Sequence, residues 1–117
     1  MVINNFKSVL FGLNNQNEYM DDVTNKLNNL FEDTPNSGIK EAFEGYISNA
    51  GLASPLERDI SFYLACEIFH SVFSSPNKTV NIEFKGLKFK NDYIDKVTKS
   101  LAIQARAFDI TILHRHQ

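Results

Sequence analysis

VNIEFKGLKFK, residues 80–90, decides what kind of domain this chain builds. Val80, Ile82 and Phe84 alternate with Asn81, Glu83 and Lys85, and after Gly86 the alternation resumes as Leu87 and Phe89 against Lys88 and Lys90. A period of two sends successive side chains to opposite faces of a strand. An amphipathic helix needs its apolar residues three and four apart instead. The segment reads as β structure, either a hairpin turning at Lys85-Gly86 or one long strand bent at Gly86.

Upstream of it the spacing is helical. Ile3, Phe6, Leu10 and Leu13 form one stripe. Tyr19, Val23, Leu27 and Leu30 or Phe31 form a second, with Asp21 and Asp22 facing away. Asp33-Thr34-Pro35-Asn36-Ser37-Gly38 is a turn cluster. Ile39, Phe43, Tyr46 or Ile47, and Ala50 form a third stripe, and Gly51 stands where a left-handed residue ends a helix. Ser54-Pro55-Leu56-Glu57 carries a start signal: a capping serine, a proline suited to the first helical position, and a glutamate that completes a capping box. That helix is expected to run to about Phe73, where Ser74-Ser75-Pro76-Asn77 breaks it.

Downstream, Asn91 is placed to cap a fifth helix carrying Ile94, Val97, Leu101 and Ala105. Phe108, Ile110 and Ile112 then alternate with Asp109 and Thr111, which predicts a final strand. The expected fold is α+β and a single domain over residues 1–117. A helical N-terminal two-thirds of about four helices packs with a small C-terminal β(β)αβ sheet.

Composition supports a folded core. Of the 117 residues 43% are hydrophobic, with ten Phe and four Tyr, which argues against disorder. One cysteine excludes an internal disulfide and points to a reducing compartment, so the expected location is cytoplasmic. The opening MVINNFKSVLFGLNN has Asn4 and Asn5 inside its apolar run and lacks the pattern of a signal peptide. No stretch has the roughly 18 consecutive apolar residues of a membrane span.

LACEIFH, residues 64–70, holds the one spacing with metal or catalytic overtones. Cys66, Glu67 and His70 follow the H-E-x-x-H pattern with Cys in place of the first His. On a helical wheel Cys66 falls at the edge of a large apolar arc, which makes it a small buried hydrophobe. His70 falls among polar residues at the core margin, where Glu67 or Asp59 could bond it. A zinc site would need a third ligand, from His114 or His116. A Cys66–His70 nucleophile pair would need an exposed thiol. Neither condition is met by the pattern, so no metal, no cofactor and no enzymatic activity are expected. The glycines are scattered and make no phosphate loop. Lys85, Lys88 and Lys90 interleave with Phe84 and Phe89, but on a strand the two sets point to opposite faces. Such a lysine-studded edge discourages aggregation more readily than it binds nucleic acid.

Charge gives the strongest functional signal. Residues 16–67 hold ten acids and three bases, a net charge of −7, whereas residues 68–117 carry a net +4. An acidic helical part suits capture of a basic protein. In size, acidity and single cysteine the chain resembles the small bacterial toxin-immunity proteins of the contact-dependent inhibition type. The resemblance is one of type, and no motif or site residue is carried over from it. It implies a protein-binding inhibitor that covers the basic active site of a nuclease-type toxin. Charge alone selects the expected contact set: Glu18, Asp21, Asp22, Glu32, Asp33, Glu41 and Glu44. Tyr19 or Tyr46 would anchor it, unless both belong to the core. The alternatives are a metal or enzymatic protein built on Cys66 and His70, and a nucleic-acid-binding regulator using the lysine-rich sheet.

Overall fold

A computed structural model describes residues 16–54, 60–83 and 91–115. Among these described residues four helices and two strands follow in chain order: α1 (Gln16–Asp33), α2 (Ile39–Asn49), α3 (Ile60–Phe73), β1 (Thr79–Glu83), α4 (Asn91–Arg106) and β2 (Thr111–Arg115). This is the expected α+β arrangement: α1, α2 and α3 make up the helical N-terminal part, and α4 lies between the two strands. The stripe Ile3 to Leu13, the start signal at 55–57 and the turn at Lys85-Gly86 lie outside the described residues. Among the described residues no helix is long and apolar enough to cross a membrane.

The sheet is a parallel pair, with Val80 opposite Ile112 and Ile82 opposite His114. Parallel neighbours need a long crossover, and α4 supplies it. Val80 and Ile82 are buried while Asn81 is exposed, so the alternation read from the sequence is the one the fold uses.

The last strand begins later than its alternation suggests. Phe108 and Asp109 belong to the turn that ends α4, and β2 starts at Thr111. The Ile110 N–H donates to the Ala105 carbonyl and the Asp109 N–H to the Arg106 carbonyl. Asp109 sits at φ 59°, so the two bonds form a Schellman closure with aspartate in the left-handed position. The same device ends α2, with Leu52 bonded to Ile47, Gly51 bonded to Ser48, and Gly51 at φ 73°.

The helices bury the predicted stripes. Tyr19, Val23 and Leu27 of α1, Ile39, Tyr46 and Ile47 of α2, and Ile94, Val97, Leu101 and Ala105 of α4 are all in the core. The centre is α3, where ten of fourteen residues are buried, so a polar arc has almost no surface to occupy. Phe69 stacks on Phe73 with ring centroids 4.2 Å apart and meets Phe43 edge-on at 5.1 Å. Tyr46, at 0% exposure, ties three helices together. Its hydroxyl donates to the Ala65 carbonyl of α3 at 2.9 Å, and its carbonyl accepts from the Ser100 hydroxyl of α4 at 2.7 Å. Tyr93 of α4 donates to the Ser61 carbonyl of α3.

Candidate partner-binding surface

All seven acids of the charge-selected set are exposed, but the fold sorts them into groups. At about 100° per residue, Glu18, Asp21, Asn28 and Glu32 fall within about 80° of one another on α1. Asp22 and Asp33 lie on a different arc, and Asp22 is held by Lys26 in an ion pair of 3.1 Å. On α2, Glu41 and Glu44 share a face, and Glu44 reaches the cleft that Glu32 borders from α1. Among the described residues no basic side chain pairs with Asp21, Glu32, Asp33, Glu41 or Glu44.

Between α1 and α2 the acidic stripe borders an open cleft of about 600 Å³. Glu32 and Glu44 stand at its mouth with Lys40, Asn28 and Ala53. Phe31, Phe43, Ile47 and Phe62 form its apolar wall. Phe31 and Phe43 are half-buried and pack tilted at 5.5 Å. A second cavity of about 300 Å³ continues from it toward Tyr63 and Cys66. Sequence reasoning selected the carboxylates and missed this cleft. The available signal was that Phe31 lies at the margin of the α1 stripe, where an aromatic is half-covered, whereas Phe43 falls inside the α2 stripe and gave no such signal.

The two tyrosines do not serve as surface anchors: Tyr19 and Tyr46 are both core residues. Tyr19 has a polar task there. Its hydroxyl donates to Glu67 Oε1 at 2.8 Å across the contact of α1 with α3. Glu67 is only 7% exposed, although the wheel assigns it to the polar arc of α3. The reason is that α1 lies over that arc, and Tyr19 supplies the hydrogen bond that an isolated buried carboxylate would lack. Glu67 is thereby committed to Tyr19 rather than to His70. Burial raises the Glu67 pKa; the bond from Tyr19 and the charge of Lys26 oppose that shift, and Asp22 adds to it. Burial lowers the His70 pKa, Lys26 lowers it further, and Asp22 works the other way. The Tyr19 phenol is pushed up by burial and by the Glu67 carboxylate beside it.

Cys66 is buried, as the wheel requires. A nucleophile needs an accessible thiolate, and Cys66 is only 2% exposed. Among the described residues no three His, Cys, Asp or Glu side chains group together as a metal site would require. The side chains of His114 and His116 lie outside the described residues, as do Phe84, Lys85, Lys88, Phe89 and Lys90. Of the remaining basic residues, Lys96, Lys99 and Arg106 are exposed along α4.

No protein-family model, no curated protein and no solved structure matches this chain.

Proposed function

We propose that this chain is a protein-binding inhibitor of the immunity type. It captures a basic, nuclease-type bacterial toxin domain and covers the toxin's active site with the acidic face of α1 and α2. The carrying observation is the exposed stripe of Glu18, Asp21 and Glu32 with Glu41 and Glu44 on the adjacent helix, four of them without a basic partner among the described residues. Unneutralised carboxylates on one face repel each other slightly at rest. They are relieved when a cationic surface docks. A nuclease cleft is cationic because it must hold phosphates, so an acidic face can occupy the same site. Asp22 contributes less to this face, since Lys26 already neutralises it. In this reading the chain works in a reducing compartment such as the cytoplasm, in keeping with its single cysteine.

The test is affinity capture on the immobilised chain, developed with a salt gradient, followed by a nuclease assay of whatever elutes. The reading expects a basic protein that leaves the column with rising salt. Its cleavage of nucleic acid should stop when the chain is added in equimolar amount. Retention of nucleic acid itself, or a bound protein whose activity the chain leaves untouched, would contradict it.

A further inference from the structure

The two cavities between α1, α2 and α3 share Asn28, Phe31, Phe43 and Phe62, so they form one continuous cleft that extends along α1 toward Cys66. Volumes of about 600 and 300 Å³ give room for a large inserted side chain and its backbone. The wall is aromatic and the charges stand at the mouth. Glu32 comes from α1 and Glu44 from α2, and Lys40 shares the α2 side with Glu44. The α1 side of the mouth is therefore the more acidic.

We infer that this cleft takes an aromatic or large aliphatic anchor side chain from the basic partner, flanked in that partner by lysine or arginine that meets Glu32. The inference rests on the acidic face being a protein-docking surface and adds the chemistry of the segment that docks. Two features carry it. The half-exposed rings of Phe31 and Phe43 gain most from a ring or branched side chain that excludes water from them. The carboxylate of Glu32 has no basic partner among the described residues and sits at the rim, where a flanking cation reaches it without leaving water altogether. An anionic flank would instead face both Glu32 and Glu44, so the cleft discriminates by sign as well as by shape.

The experiment uses the full chain, labelled with 15N, and three pentapeptides as probes. One has phenylalanine between paired lysines, one has alanine in place of the phenylalanine, and one has phenylalanine between paired glutamates. The lysine-flanked phenylalanine peptide should shift the amides of Asn28, Glu32, Glu44 and Ala53 in a saturable way, at least about tenfold more tightly than either control. Ala53→Trp, a change at an exposed position that fills the mouth, should remove those shifts. Glu32→Gln leaves the wall intact and should weaken the lysine peptide while narrowing its advantage over the glutamate peptide. Equal binding of the glutamate peptide would overturn the inference, because the cleft would then be blind to charge. Equal binding of the alanine peptide, or no shift with any peptide, would also overturn it. Shifts confined to Glu18 and Asp21 with both lysine peptides would overturn the cleft and leave the acidic face standing as a docking surface.

Discussion

Two helix contacts in this molecule are built on opposite principles. Where α2 meets α4, the groups that touch are uncharged: Tyr46 is completely buried, Ser100 bonds its carbonyl, and Gly45 lets the Gln104 side chain approach. Where α1 meets α3, the contact contains an acid and a phenol, Glu67 and Tyr19, with Asp22, Lys26 and His70 around them. The first contact has nothing to titrate near neutral pH. The second couples stability to protons and sits on the helix that also carries the acidic stripe. The fold thus keeps its constant part and its responsive part on different helix pairs.

The largest expected effect tests the constant part. Tyr46→Ala should destabilise the protein by about 3–5 kcal/mol, because it empties the space between three helices. Tyr46→Phe should lose only about 1 kcal/mol, the bond to the Ala65 carbonyl. Urea unfolding should show both losses unchanged between pH 5 and pH 7.5. A pH-dependent difference would break the contrast between the two contacts.

Glu67→Gln sharpens the other side of it. With its folded pKa raised above the ordinary 4.5, Glu67 binds its proton more tightly in the native state than in the unfolded chain. Wild type should therefore gain stability relative to the variant as pH falls through the raised value, and the gain should level off below about 4.5. At neutral pH the variant should be at least as stable, since its amide oxygen still accepts from Tyr19. Parallel urea midpoints for the two proteins across this range would count against the account.

His70 shifts in the opposite sense. Its lowered pKa means that the native state resists protonation, so wild type should lose stability as pH falls below the ordinary value of 6.5. His70→Gln should flatten that decline. The effect should be smaller than at Glu67, because His70 is only half-buried. The smallest change is expected at Gly45→Ala. The added methyl would press on the Gln104 carboxamide at 2.7 Å, but that is the mobile end of a side chain, and alanine favours the helix. A thermal melt should place the net effect within about 1 kcal/mol.

Much of the architecture was legible before any coordinates. The stripes on α1, α2 and α4 are strongly periodic, and each buried most of the residues its period selected, with Leu30, Phe31 and Phe43 left half-buried. The switch to period two at Val80 announced β1 correctly. The final strand was harder, because Phe108 and Ile110 alternate like strand residues while Asp109 adopts the left-handed turn that closes α4. Turn closure depends on backbone bonds that leave little mark on hydropathy. Glu67 was misplaced for a different reason. A wheel shows which arc of a helix is polar, but it cannot show that α1 covers the polar arc of α3. The cleft was invisible for the same reason, since its wall joins Phe31, Phe43 and Phe62 from three helices. The acids themselves were easy to select, but only the fold divides Asp22, paired with Lys26, from the stripe of Asp21 and Glu32.

The most direct test of the central claim is the association rate of the captured basic protein with wild type and with Asp21→Lys/Glu32→Lys, measured by stopped flow at low and high salt. The account predicts that the double reversal slows association at least about tenfold at low ionic strength, and that salt erases most of the difference. Equal rates at low salt would contradict it, because the acidic face of α1 would then take no part in drawing the partner in.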